Sequence, residues 1–181
     1  MSGLLALLAV PVIFAQAPSA ELQALASASF VLADAPVVYE PVLDAAVEGG
    51  MESLPFFVKP LARLRLRPAV YETVCPKLDL ALDGERLHVS CGGEQAPFSR
   101  RLDGGDGPIQ DDGDTYHVQV LITERSVGLR FAGDKGGQSN IYAFEPDGGM
   151  VLHATIFSPY LPDDLVWTMR YRRVAGITPA P

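Results

Sequence analysis

From residue 73 onward, apolar side chains fall at every second position. Leu78, Leu80 and Leu82 alternate with polar or small neighbours, Asp83-Gly84 follows, and Leu87, Val89 and Cys91 resume the alternation. A period of two places these side chains on one face of a strand. Asp-Gly between two such runs predicts a β-hairpin. A two-residue turn there sets Leu80 opposite Leu87 and Leu78 opposite Val89. Further strands are predicted over 96–102, 115–123, 126–131, 141–144, 150–157 and 165–173, with turns at Glu124-Arg125 and Asp147-Gly148-Gly149. In the last strand Leu165, Trp167, Met169 and Tyr171 share one face, and Arg170 and Arg172 the other.

Upstream the rhythm is helical. Residues 21–32 are helix formers with a stripe of Leu22, Leu25, Ala26 and Ser29, stopped by Pro36. A second helix is predicted over 40–48, ended by Gly49-Gly50. A third covers 51–65, shortened or bent by Pro55 and Pro60. Before these, the uncharged run from Leu4 to Phe14 and the small-x-small pattern Ala15, Gln16, Ala17 have the form of an export signal. The run is short for a retained membrane anchor, which needs ~20 residues. Cleavage is expected after Ala17, with Ala20 as the alternative.

The expected fold is mainly β with N-terminal helices: an antiparallel meander of about eight strands. No helix of crossover length separates successive strands, which excludes a βαβ architecture. Closure into a small barrel removes exposed strand edges, and a sandwich or a curved open sheet with a helix against it is the alternative. The expected division is 1–17 signal peptide, 18–67 helical segment packing on the barrel, 68–174 barrel and 175–181 tail.

Over 73–174 this arrangement resembles the lipocalin-like, or calycin, group of small exported bacterial β-barrels. Architecture carries the resemblance: no Gly-x-Trp opens the first strand, and Trp167 in the last strand is the only tryptophan. The resemblance implies a small apolar ligand in the barrel mouth. Its lining candidates are Tyr116, Val118, Phe131, Tyr142, Phe144, Phe157, Trp167, Met169 and Tyr171, which in a narrow barrel would instead fill the core. Gln138, Ser139 and Asn140, after a glycine-rich turn, are rim candidates.

The formal charge of -8 disfavours nucleic acid, whose binding rests on neutralising phosphates. Against that background the basic patch of Lys59, Arg63, Arg65 and Arg67, interleaved with Phe56, Phe57, Leu61 and Leu64, stands out. It reads either as a surface meeting anionic lipid or an acidic partner, or as a docked helix with charged stems at its rim. Arg170, Arg172 and Arg173 form a second basic cluster. The two cysteines, Cys75 and Cys91, fit neither a redox nor a zinc spacing. In an oxidising compartment they are expected to pair, with an irregularity at Pro76 correcting their parity. Two buried thiols are the alternative.

The acidic loop of Asp103, Asp106, Asp111, Asp112 and Asp114 lacks EF-hand spacing and reads as a solvated connection. His88, His117 and His153 form no metal-ligand spacing. No cofactor, metal or catalytic set is assigned. Three functions stay open: a periplasmic binding or carrier protein, monomeric, for a small apolar or amphipathic molecule; an envelope interaction module with a solid barrel; and an enzyme with an acid–base site at the barrel mouth.

Overall fold

The computed structural model describes residues 18–92, 97–111 and 113–174. The expected signal segment 1–17 and tail 175–181 lie outside the described residues. The chain builds a sheet of ten antiparallel strands: β1 (Ala28–Leu32), β2 (Lys77–Leu82), β3 (Arg86–Cys91), β4 (Phe98–Arg101), β5 (Ile109–Asp111), β6 (Asp114–Ile122), β7 (Ser126–Gly133), β8 (Gly136–Phe144), β9 (Met150–Phe157) and β10 (Leu165–Arg173). Its order is β4-β3-β2-β1-β10-β9-β8-β7-β6-β5. The first strand therefore lies between the second and the last.

The sheet curls into a half-barrel, with β4 and β5 as its two end strands. Side chains from distant strands meet inside the curl. The rings of Phe30 (β1) and Phe144 (β8) lie 6.0 Å apart, and those of Phe98 (β4) and Phe131 (β7) 5.3 Å. One core cluster joins Leu78, Leu80 and Leu87 to Val127, Leu129, Leu152 and Met169. This is the mainly β meander with N-terminal helices that the alternation predicts.

Three helices accompany the sheet: α1 (Ala20–Ala26), α2 (Pro36–Gly50) and α3 (Lys59–Tyr71). The helix expected over 21–32 ends at Ala26, and the remainder is β1. Pro36 opens α2 instead of closing the helix before it. At the first helical position its missing N–H costs nothing. Residues after Met51 form turns, and α3 begins at Lys59 and continues to Tyr71. A division at residue 67 thus cuts a helix, and the N-terminal segment supplies a central strand to the sheet.

The first hairpin is wider than expected. Asp83 Oδ1 accepts from the backbone N–H of Glu85 at 3.1 Å and of Arg86 at 2.7 Å. Leu82 then faces Leu87, Leu80 faces Val89 and Leu78 faces Cys91. The register moves by two residues, so every side chain keeps its face. Cys75 and Cys91 are joined in a disulfide with Cα atoms 5.5 Å apart. Cys75 stands just outside β2, before Pro76, whose carbonyl accepts from Leu32 N–H at 3.0 Å.

Candidate functional site: the inside of the curled sheet

Strand register arranges the inner face in rows. One runs Leu165, Ile156, Gln138, Phe131, Val118, and the next Trp167, Ala154, Asn140, Leu129, Val120. The following row holds Met169, Leu152, Tyr142, Val127 and Ile122. Most of this surface is aliphatic or aromatic and buried. A few polar groups interrupt it. Gln138 Nε2 donates to Asn140 Oδ1 at 3.0 Å, leaving Gln138 Oε1 and Asn140 Nδ2 for another partner. Across the small Ala154 from Asn140 stands Trp167, 2% exposed, whose Nε1 is buried without an acceptor among the described residues.

Arg100 is the unexpected member. It pairs with the buried Leu87, which sets it on the inner face of β4. Its guanidinium carbon lies 5.2 Å from the centre of the Phe98 ring, and Nη1 donates to the Gly107 carbonyl at 3.3 Å. Its Nε is buried and has no acceptor among the described residues. Sequence alternation could have found it, because Phe98 and Arg100 share a parity. An arginine pair, Arg100-Arg101, reads by default as surface.

Of the lining candidates, Tyr116, Val118, Phe131, Tyr142, Phe144, Trp167, Met169 and Tyr171 fall on the inner face by register. Phe157 does not. It pairs with Gly137 out of phase with the inward Ile156, so it lies on the outer face, where the Arg130 guanidinium covers its ring at 4.4 Å. Ser139 likewise points outward, between Arg130 and Thr155, although it is buried. Gln138 and Asn140 are wall residues inside the curl. Burial pushes the Tyr171 hydroxyl up to about 12, and that hydroxyl donates to the Cys75 carbonyl. Complete burial also raises that of Tyr142.

Each end of the curl carries helix. At one end α1 lies beneath the β2–β3 turn and the end of β10. The Ser27 hydroxyl accepts from Leu82 N–H at 3.3 Å, and Arg173 Nη2 donates to the Ala24 carbonyl at 3.0 Å. Arg173 thus latches α1 and is separated from Arg170 and Arg172, which are exposed on the outer face. At the other end α2 packs on the start of β10, where a Cβ on Gly50 would come within 2.8 Å of Leu165 Cδ1.

The basic patch on α3 is largely paired with α2 and the turn before α3. Arg63 binds Glu48 through two bonds of 2.6 and 2.7 Å, and Arg67 binds Asp44 at 2.9 Å. Lys59 donates to the Glu52 carbonyl at 3.0 Å. Arg65 is exposed and makes no ion pair among the described residues. Beside it Phe56, Phe57, Leu61 and Leu64 are all strongly exposed, Phe56 at 85%.

The acidic loop is also internally paired: Asp103 with Arg101, Asp106 with Arg86 and the Arg101 N–H, Asp114 with Lys135. The Arg101 guanidinium holds the Asp103 carboxyl far below the usual range. No cluster of three metal-ligating side chains occurs among the described residues. The histidines are not brought together: His88 Nε2 lies 3.1 Å from Asp83 Oδ2 at the hairpin turn, and His117 and His153 are exposed on the outer face.

No protein-family model and no curated protein matches this chain. Solved structures do. A Schistosoma mansoni fatty acid binding protein in complex with arachidonic acid is 12% identical with a TM-score of 0.50, covering 85% of this chain and 99% of its own. Caenorhabditis elegans lipid binding protein 8 gives 10% and 0.48 over 87% and 99%, and Echinococcus granulosus fatty-acid-binding protein 1 gives 12% and 0.46 over 84% and 99%. The fold is thus similar to that of the Schistosoma mansoni protein. At these identities the likeness is one of fold.

Proposed function

We propose that the protein is a binding or carrier protein for a small amphipathic molecule with a long apolar part and a hydrogen-bond-accepting head, of the fatty-acid kind. Two buried donors on the inner wall carry this reading: Trp167 Nε1 and Arg100 Nε, each without an acceptor among the described residues. Leaving a buried donor unpaired costs ~1–3 kcal/mol. A carboxylate or carbonyl brought in on an apolar chain offsets that cost while the chain meets aliphatic wall. The similar fold of the Schistosoma mansoni fatty acid binding protein, in complex with arachidonic acid, points the same way.

Export to the periplasm belongs to the same reading. The Leu4–Phe14 run with Ala15-Gln16-Ala17 supports it, and so does a disulfide, which persists in oxidising compartments. The exposed Phe56, Phe57, Leu61 and Leu64, beside an Arg65 with no ion pair among the described residues, favour a secondary role in which the start of α3 touches a membrane surface.

The test is native mass spectrometry of freshly purified protein, lipid extraction, and titration of the single tryptophan's emission with oleate. Saturable binding is expected. Arg100→Leu should weaken it by ~10–100-fold, the scale of one charge-assisted hydrogen bond. Repeated absence of a co-purified lipid together with no saturable response to oleate would remove the reading.

A further inference from the structure

The two unpartnered donors of the interior, Trp167 Nε1 and Arg100 Nε, belong to well-separated strands. In the sheet order β10 is four ladders from β4, which is ~19 Å along the sheet at ~4.8 Å per strand. The Arg100 guanidinium is held at the β4 side. It lies against the Phe98 ring, which meets Phe131 of β7, and its Nη1 donates to the carbonyl of Gly107, shortly before β5. Trp167 has Ala154 and Asn140, on β9 and β8, as its neighbours in the row.

The two surroundings also differ in charge. Beside Arg100, Asp106 accepts from Arg86 Nη2 at 3.2 Å and from the Arg101 N–H at 2.6 Å. Arg86 and Arg100 against the single carboxylate of Asp106 leave net positive charge, which favours an anion. Around Trp167 the polar groups are neutral. They are its own Nε1 and the bonded amides of Gln138 and Asn140, with Gln138 Oε1 and Asn140 Nδ2 unused within that pair. A charge buried there would have no counter-ion, whereas a neutral oxygen needs only a hydrogen bond.

We propose that the interior takes an amphiphile with two oxygen functions: an anionic head held by Arg100, and an uncharged hydroxyl or carbonyl in mid-chain held by Trp167 Nε1. The substrate class is then a hydroxy or oxo fatty acid, not a plain one. This rests on the reading that the interior binds a small amphiphile. A lone carboxylate bonds at one wall only, and a plain chain lying across Trp167 leaves the indole N–H buried and unpaired. A mid-chain hydroxyl accepts from Nε1, and Gln138 Oε1 is available for its proton.

Calorimetric titration with oleate and with ricinoleate, which is oleate bearing one mid-chain hydroxyl, tests this. Wild type should bind ricinoleate ~10-fold tighter or more, the scale of one buried donor left unpaired. α-Hydroxystearate, with its hydroxyl beside the head, should bind within ~3-fold of stearate. Trp167→Phe strips the N–H and should bring the affinities for oleate and ricinoleate within ~3-fold of each other. Arg100→Leu should weaken both acids and keep their ratio. The wild-type comparisons decide the matter even where Trp167→Phe does not fold. Oleate bound as tightly as ricinoleate, an equal preference for the α-hydroxy acid, or a preference that survives Trp167→Phe overturns the mid-chain contact and leaves the binding reading intact. Binding of none of these acids by wild type removes both.

Discussion

The hydroxyl of Tyr171 donates to the carbonyl of Cys75 across 3.0 Å of buried interior. It ties the inner face of the last strand to the junction where α3 hands over to β2, one residue before Pro76 and at the disulfide itself. Tyr171→Phe keeps the ring in place and strips the bond, leaving a buried carbonyl unpaired. The expected loss is ~1–3 kcal/mol in equilibrium urea unfolding. A midpoint equal to wild type, with unchanged slope, would show that the carbonyl finds another donor.

Buried phenols also set the alkaline limit of stability. Tyr171 is raised from 10.0 to about 12 by desolvation, and Tyr142 is raised by complete burial. A raised folded-state value means the stabilisation is full below the unfolded value and lost as pH rises through the folded one. Stability should therefore hold to about pH 10 and fall between about 10 and 12. Urea midpoints followed through this window should decline less steeply in Tyr142→Phe. Parallel curves for the two proteins would contradict the assignment.

Breaking the Cys75–Cys91 link removes a constraint on a loop of 16 residues in the unfolded chain. Cys75→Ser should lower stability by ~2–4 kcal/mol, and reductant should do the same to wild type. Intact mass after alkylation under denaturing conditions gives the direct check. Two alkylated thiols in protein prepared without reductant would show that the bond is not made.

The α2–α3 pairing should weaken in acid. Hydrogen bonds from Arg67 and Arg63 hold the Asp44 and Glu48 carboxyls below their ordinary values. A depressed carboxyl contributes above its unfolded value and loses that contribution as pH falls through the folded one. These pairs are solvent-exposed and screened by salt, so the global effect is small. The readout is local: amide protection in α3 at pH about 3 should approach that of Arg63→Ala, Arg67→Ala at neutral pH. Undiminished protection at low pH would mean that packing, not charge, holds the helices together.

Much of this fold was legible because one face of most strands is core. Leu78-x-Leu80-x-Leu82 and Leu165-x-Trp167-x-Met169-x-Tyr171 announce both the strand and its inward side. Strand β1 gives no such signal. Ala28, Ser29 and Phe30 are all buried, since β1 is flanked by β2 and β10 and its outward Ser29 hydroxyl is covered and bonded to Asp79. Without alternation, and directly after helix formers, those residues read as more helix. β5 is three residues long, too short to carry a period.

For the candidate site, parity locates Trp167 and Asn140. It also reads against Phe157, which is out of step with Leu152, Ala154 and Ile156; aromatic character outweighed the register there. Arg100 shares the parity of Phe98, but an arginine beside Arg101 reads as surface, and the β3–β4 pairing opposite the buried Leu87 is what sets it inward.

The placement of β1 between β2 and β10 has a consequence for how the chain is assembled. Every other ladder joins consecutive strands, all but β1–β2 (which is bridged by α2 and α3) through short connections, so those pairings can form well before the chain is complete. The seam pairing Phe30 with Arg173 spans nearly the whole chain. It closes only after the final strand has been made, and its loop entropy makes it the expected late step of folding. A nascent chain stopped short of Leu165 would hold two half-sheets with no joint between them, each showing an unsewn edge to the other.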